Sequence, residues 1–134
     1  RLSGIPSFAG FGEARGMARI YAALGEGGAI DGVRLVSKAA IDRATVTQWS
    51  DMQEGLLGRP MAMAMGFMKN PPGGFALFGP WGDAFGHSGS GGARVFAVPS
   101  QRLAVCFTSN YQSEQRSIGE RTEAIVGAAC ASVA

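Results

Sequence analysis

The chain has a single histidine, His87, and it lies in a glycine-dense segment, Phe-Gly-His-Ser-Gly-Ser-Gly-Gly at residues 85–92. An imidazole beside the hydroxyls of Ser88 and Ser90 is a combination that could contact a reacting carbonyl compound. Gly89 and its glycine neighbours lack a Cβ, so another backbone or a ligand can approach this segment closely. We therefore predict that exposed backbone N–H groups beside His87 hold a carbonyl group.

The same residues are also compatible with other functions, which the surrounding sequence favours less. A metal centre is not indicated, because neither a second histidine nor a Cys/Asp/Glu cluster at ligand spacing accompanies His87. A phosphate-binding glycine loop would need a strand before it and a helix after it, whereas a strand pattern follows here. Neither Ser88 nor Ser90 has a lysine three residues later or a strand-to-helix elbow, so both are interpreted as binding hydroxyls or amide donors rather than nucleophiles. A structural role for His87 stays open, and Trp81 could line a pocket or fill the core.

Three helices and a strand pair are predicted to position this segment. Apolar residues at helical spacing indicate a helix over Glu13–Leu24, and Ser37 is a suitable N-cap for a second helix that starts at Lys38 and weakens at Thr45. Two Val- and Phe-containing runs, separated by Pro99–Arg102, predict an antiparallel strand pair. The last helix should be capped by Ser113, with Glu114 in its first turn, and its apolar stripe comprises Ile118, Thr122, Ile125, Val126, Ala129, Cys130 and Val133.

The middle of the chain is predicted to hold a strand and two loops. Asp51–Pro60 is interpreted as a loop, and Met61, Met63 and Met65 alternate with alanines as in a strand whose methionines fill the core. Lys69–Ala84 should form a long ordered loop, anchored by Phe75, Phe78 and Trp81. The turn Asp31-Gly32 leads into a short extended segment, Val33–Val36. Together these elements predict an α+β fold: an antiparallel β-sheet with flanking helices and a C-terminal helix packed on the sheet.

Composition bounds the remaining choices. A chain of 134 residues is one domain, and 12 Lys+Arg against 10 Asp+Glu, all scattered, give no footprint for nucleic acid or anionic lipid. No apolar run reaches the roughly 20 residues that a membrane span needs. Cys106 and Cys130 are expected to be small buried hydrophobes, with a disulfide left open. No secretory signal is visible, which slightly favours the cytoplasm, whereas a signal peptide upstream of Arg1 would indicate the periplasm, so the compartment stays open.

Several segments, in this order, resemble one enzyme group. They are residues 12–24, 27–28, 31–37, 78–81, 85–92 and 109–110. The chain is similar to the C-terminal portion of a serine hydrolase of the class C β-lactamase, penicillin-binding protein and family VIII esterase group. In that group a Ser-x-x-Lys supplies nucleophile and base, and a Tyr-x-Asn-type motif assists proton transfer. A Lys-Thr-Gly or His-x-Gly triplet on an edge strand forms the opposite wall. His87-Ser88-Gly89 matches the triplet, and the resemblance implies that the N–H of Ser90 contributes to the oxyanion hole.

The chain also departs from that pattern. It contains neither a Ser-x-x-Lys nor a Tyr-x-Asn, so the resemblance implies that both lie upstream of Arg1. Histidine in place of the triplet lysine removes a permanent cation, which favours neutral esters over substrates with a carboxylate, such as β-lactams.

The resemblance leads to one main hypothesis. Residues 1–134 are the C-terminal segment of a single β-lactamase-like serine hydrolase domain, acting on a small ester or amide through an acyl-serine intermediate without metal or cofactor. His87 and Ser90 would be catalytic, and Ser88, Gly89 and Trp81 would contact substrate. The chain alone should be inactive, and an unpaired edge of its sheet should favour self-association.

Two further hypotheses come from other classes. The chain could be a complete non-catalytic module that binds a peptide or ligand at the glycine-rich segment, or a nucleotide could bind at residues 86–92. The reading frame upstream of Arg1 separates the enzyme from the binding module, since only the enzyme hypothesis requires the two missing motifs there.

Overall fold

The computed structural model of the chain describes residues 10–51, 55, 58–73, 76–111 and 120–133. These residues form three α-helices, a two-stranded hairpin and a six-stranded antiparallel sheet whose strands neighbour one another in chain order. The helices are α1 (Ala14–Gly25), α2 (Lys38–Ala44) and α3 (Glu120–Ala131). The hairpin consists of β1 (Ala29–Ile30) and β2 (Val33–Arg34), and the sheet of β3 (Trp49–Asp51), β4 (Met61–Met63), β5 (Met68–Lys69), β6 (Phe85–Ser88), β7 (Arg94–Val98) and β8 (Leu103–Phe107). The predicted α+β class is confirmed.

The local signals in the first part of the chain correspond to the structure. Helix α1 lies within one residue of its predicted bounds, and the side chain of Ser37 accepts a hydrogen bond from the N–H of Ala40 at 3.1 Å as the N-cap of α2. Asp31 and Gly32 both have positive φ, 50° and 79°, and connect β1 to β2. Two such residues are typical of the two-residue turn whose twist suits a hairpin.

Two loop predictions began too early. Asp51 is the last residue of β3, which pairs with β4 so that Trp49 lies opposite Met63. Trp49 is 45 % exposed, so this outer strand has no buried run to mark it in the sequence. Lys69 likewise ends β5 and does not begin the long loop. Residues 52–54 and 56–57 of the first predicted loop, and Phe75 of the second, lie outside the described residues.

The prediction that the methionines fill the core holds for two of three. Met61 and Met63 are half-buried against the core, and the intervening Ala62 is buried. Met65 is 63 % exposed because β4 has already ended and the chain turns at Gly66, whose φ is 79°.

The sheet carries a hydrophobic core on each face. The α3-side core contains Met68, Leu77, Phe78, Ala84, Phe96, Val98 and Val126, and the α1-side core contains Tyr21, Ile41, Phe85, Val95 and Ala97. All five residues of β7 are buried, because successive side chains of a strand point to opposite faces and both faces are covered. The predicted packing of the C-terminal helix on the sheet is confirmed through Val126. The cap residues Ser113 and Glu114, and Ile118 of the predicted stripe, lie outside the described residues.

The two cysteines are free and half-buried. Cys106 packs against the α1-side core and Cys130 against the α3-side core, so the sheet separates them and they form no disulfide. Burial raises the pKa of both thiols. Both therefore act as small hydrophobic side chains, as the sequence indicated. Within the described part of the chain, no helix has the length and apolar character needed to traverse a bilayer.

Candidate functional site

Strand β6 carries the predicted triplet, and its position corrects one expectation. We predicted an edge strand, but β6 lies inside the sheet: it pairs with β7 over its whole length and with β5 at Phe85 and Gly86. Gly86 is required at this crossing, because a Cβ there would lie 2.2 Å from the carbonyl oxygen of Val95. From His87 onward, however, β5 has ended. Within the described residues the second edge of β6 has no further strand partner, so the predicted open edge begins at His87.

The imidazole of His87 is exposed, and its orientation is set by the backbone carbonyl of the next residue, Ser88. Its Nδ1 lies 2.8 Å from the carbonyl oxygen of Ser88. A carbonyl oxygen only accepts, so Nδ1 carries the proton and donates, which leaves Nε2 of the neutral ring as an acceptor. In that neutral form, Nε2 is available as an acceptor at the exit end of β6, the end formed by His87 and Ser88.

The next two residues differ in how firmly their polar groups are engaged. The N–H and the hydroxyl of Ser88 both donate to the sulfur of Met68, at 3.4 and 3.3 Å. A thioether is a weak acceptor, so the hydroxyl can exchange this partner for a better one on a ligand. The N–H of Gly89 donates to the carbonyl of Ala93 at 2.8 Å and is thus occupied by the turn itself.

Ser90–Gly92 form a short 3-10 turn between β6 and β7, where the sequence predicted that the strand followed directly. Gly91 and Gly92 have φ of 81° and 92°, in the left-handed region that favours glycine. The first N–H groups of a helical turn have no acceptor inside that turn. The backbone N–H of Ser90, the first residue, is therefore directed outside the turn.

This turn is held from behind by α3. The hydroxyl of Thr122 donates to the carbonyl of Gly92 at 2.8 Å, and both residues are buried. Arg94, whose side chain is 1 % exposed, donates to Glu123 at 2.9 Å and to the carbonyl of Leu77 at 2.9 Å. Sequence reasoning missed this anchoring, although an arginine at the first position of an otherwise apolar strand was a signal that it needs a buried acidic partner.

Trp81 lies away from these groups. It precedes β6, is half-buried against the α3-side core, and its carbonyl accepts from the side-chain amide of Asn70 at 3.2 Å. The same amide donates to the carbonyl of Gly79 at 2.7 Å, and the Asn70 oxygen accepts from the N–H of Phe78 at 3.1 Å. The structure thus brings His87, Ser88 and the Ser90 turn together at the exit end of β6. Trp81 lies at the entry end, where β6 begins with Phe85.

Across the residues that the structure describes, no group of three or more His, Cys, Asp or Glu side chains is placed to hold a metal ion. The described residues at the exit end of β6 offer an imidazole, a hydroxyl and backbone amides.

Comparison with known proteins identifies the family of this chain. The family model described as Beta-lactamase matches residues 3–129. The chain belongs to the beta-lactamase family. This is a family of serine hydrolases, and the resemblance first seen in the segments around His87-Ser88-Gly89 is confirmed over nearly the whole chain.

Relatives within the beta-lactamase family include esterases and a penicillin-binding protein homologue. A crystal structure of a family VIII carboxylesterase is 31 % identical, with a TM-score of 0.79, and the match covers 92 % of this chain and 32 % of that one. A penicillin-binding protein homologue from Caulobacter crescentus is also 31 % identical, with a TM-score of 0.79, over 90 % of this chain and 32 % of that one. The esterase/beta-lactamase LipL of Mycobacterium tuberculosis is 29 % identical over 106 residues, which are 79 % of this chain and 23 % of LipL.

A more distant structure supports the fold alone. EstA from Arthrobacter nitroguajacolicus is 22 % identical with a TM-score of 0.68, and the match covers 91 % of this chain and 33 % of EstA. The chain therefore spans between about a quarter and a third of the length of these relatives.

Proposed function

We propose that this chain is the C-terminal segment of a single serine hydrolase domain that cleaves neutral esters through an acyl-serine intermediate. The proposal rests on the arrangement of groups at the exit end of β6. There, an exposed imidazole with an accepting Nε2 adjoins a glycine turn that α3 holds in place. Family membership supplies the reaction class, and the esterases among its relatives support the ester preference.

The turn would stabilise the developing negative charge. When a serine hydroxyl attacks the ester carbonyl, the carbonyl oxygen becomes an oxyanion, and the N–H of Ser90 donates to it. One well-aimed donor is typically worth about 3–4 kcal/mol in the transition state. A fixed donor acts without reorganising, and the buried Thr122–Gly92 hydrogen bond keeps this turn fixed.

The imidazole would set the substrate class. His87 Nε2 accepts a hydrogen bond from a donor that lies across the cleft, on the substrate or on a residue of the preceding segment. A neutral imidazole attracts a substrate carboxylate less than a lysine does, so esters without a carboxylate are favoured. Ser88 contributes a hydroxyl that leaves the weakly accepting sulfur of Met68 for the substrate.

The nucleophile would come from a preceding segment, because the sequence contains no Ser-x-x-Lys. The test is a chimera in which this chain replaces the matching third of the family VIII carboxylesterase. We expect hydrolysis of p-nitrophenyl butyrate by the chimera and none by the isolated chain. His87→Ala should lower kcat/KM about tenfold, as for loss of one hydrogen bond across the cleft.

Two controls make the result decisive. Labelling with a fluorophosphonate reports whether the chimera has an assembled nucleophile, and His87→Lys should raise nitrocefin turnover relative to the ester. A labelled chimera that keeps full activity with His87→Ala refutes the role of His87. Ester hydrolysis by the 134-residue chain itself, lost with His87→Ala, would place the nucleophile within this chain.

A non-catalytic binding module is the second candidate. It is favoured by the absence of Ser-x-x-Lys and of Tyr-x-Asn from the sequence. It predicts a natural reading frame that starts at the beginning of this chain, whereas the enzyme proposal predicts both motifs upstream. We also propose that the chain alone self-associates through β8, an outer strand of its sheet, which size measurement over a concentration series tests.

A further inference from the structure

A cavity lies beside the entry end of β6. It has a volume of about 480 Å³ and is lined by Thr47, by residues 69–72 and by part of the loop over residues 76–82. Ligand pockets usually measure about 300–1,000 Å³. Lys69 lies opposite Phe85, the first residue of β6. His87 and the glycine turn lie at the other end of the strand. The cavity is thus separate from the proposed acyl-transfer site.

Lys69 is one of the residues that line this cavity, and it carries an unusual charge. The residue is only 8 % exposed, yet none of the ion pairs formed by the described residues includes it. Its Nζ donates to the carbonyl of Asp83 at 3.2 Å and lies 6.0 Å from the centre of the Phe85 ring. The carboxylate of Asp83 is engaged elsewhere, accepting from the N–H of Ser100 at 2.7 Å and from its hydroxyl at 3.0 Å.

A buried ammonium without a paired carboxylate is unfavourable. Burial lowers the pKa of Lys69, and this effect exceeds the opposing attraction of the Asp83 carboxylate. An anion in the adjoining cavity would supply the missing counter-charge.

The remaining walls suit the apolar part of a ligand. Trp81 is half-buried, and Pro72 and Pro80 are exposed around it. The loop that carries Trp81 is held by the three hydrogen bonds of Asn70, so the cavity is formed in advance of binding.

We propose that this cavity binds a small carboxylate with an apolar or aromatic body. The carboxylate pairs with the ammonium of Lys69, and the body lies against Trp81 and the two prolines. The proposal goes beyond the acyl-transfer function and does not depend on it, because the two sites share no residue.

Tryptophan fluorescence tests the site directly, with phenylacetate as the probe. The chain has two tryptophans, Trp49 and Trp81, so a Trp49→Phe background leaves Trp81 as the only reporter. We expect a saturable change in its emission with phenylacetate, and at least tenfold weaker binding of the neutral isostere phenylacetamide. Lys69→Met should remove this preference, whereas Lys38→Met, at the exposed lysine, should keep it.

A second measurement needs no substitution at Lys69. The chain has only two lysines, so ¹³C-lysine labelling gives one Cε signal from Lys69 and one from Lys38 as internal control. Phenylacetate should shift the Lys69 signal and raise its pKa, and leave Lys38 unchanged. Equal shifts at both lysines, no saturable change, or equal affinity for phenylacetate and phenylacetamide would overturn the proposal.

His87→Ala separates the two sites. Unchanged affinity for phenylacetate supports the entry cavity. An affinity that falls with His87→Ala and not with Lys69→Met would mean that the carboxylate binds at the exit end, which refutes the cavity proposal.

Discussion

At the exit end of β6 the imidazole of His87 is exposed, whereas at the entry end the ammonium of Lys69 is 8 % exposed. The exposed group belongs to a backbone that α3 holds from behind, through the hydrogen bond between buried Thr122 and Gly92. The buried group has one carbonyl acceptor and a cavity beside it. The difference teaches that a short strand can present two kinds of site. One end presents an exposed imidazole beside a fixed turn, and the other presents a buried ammonium beside a cavity.

The largest expected effect comes from the residue that both ends share. Gly86→Ala would bring a Cβ to 2.2 Å from the Val95 carbonyl and 2.5 Å from the Phe96 Cβ, so the β6–β7 pairing must shift. We expect a loss of about 3 kcal/mol or more in the free energy of unfolding, measured by urea denaturation.

Gly89→Ala is the matched control for Gly86→Ala. Its Cβ would meet the Ala93 Cβ at 3.5 Å, an ordinary contact, and φ is negative at −114°. We expect a change within about 1 kcal/mol. Equal losses from the two substitutions would contradict the close strand crossing at Gly86.

The next effect concerns the exit end alone. Glu123→Ala removes the carboxylate that pairs with buried Arg94, and breaking a buried pair costs about 3 kcal/mol. The exposed pair between Lys38 and Asp42 provides the control, because Asp42→Ala should cost less than about 1 kcal/mol. If the two losses in the free energy of unfolding are equal, Arg94 does not anchor the turn to α3.

A smaller effect tests the turn itself. Thr122→Val keeps the shape of the side chain and removes the hydroxyl that donates to Gly92, so about 1–2 kcal/mol should be lost. Amide exchange at Gly91 and Gly92 should accelerate, and Thr122→Ser should restore slow exchange. Unchanged exchange in the valine variant would show that the turn is fixed by other contacts.

The smallest effect, at the entry end, has the opposite sign. Lys69→Met removes a buried charge without a paired carboxylate, so the free energy of unfolding at neutral pH should rise by about 1 kcal/mol. Lys38→Met should change it by less than about 0.5 kcal/mol, because that lysine is exposed. A clear loss of stability with Lys69→Met would mean that the ammonium is well compensated in the free protein.

Lys69 also predicts a pH dependence. Its pKa is lowered in the folded state from an ordinary 10.5, so the unfolded chain binds more protons just below that pH, and stability should rise with pH there. Burial raises the pKa of Tyr21 to about 12, which acts oppositely above about pH 10, since the unfolded chain then loses its tyrosine proton first. The buried thiols of Cys106 and Cys130, whose pKa values are raised from 9.0, also lower stability with rising pH in this range. Lys69 is therefore isolated by comparison: in urea denaturation below pH 10, Lys69→Met should lose the rising contribution and keep the falling one.

Local signals in the sequence were reliable where neighbouring residues decide the structure. Helix α1, the Ser37 cap and the β7–β8 pair depend on spacing and on turn residues close in the chain, and all were predicted. Strand β3 was missed because its pairing with β4 crosses a loop and its tryptophan is exposed.

In the candidate site, too, some features follow from local sequence and others from long-range pairing. The types and order of residues 85–92 were sufficient to identify His87-Ser88-Gly89 and to suggest the family. That β6 is covered by β5 only as far as Gly86, and that Trp81 lies at the other end, follow from strand register, which no single segment specifies.

By itself, the sequence determined the helices, the strand pair, the glycine-rich triplet and the family, because these depend on residue type and local order. Only the tertiary structure decided that α3 holds the turn at Gly92 and that Lys69 is buried beside a cavity. Both depend on contacts between residues far apart in the chain, and such contacts exist only once the sheet and helices have packed.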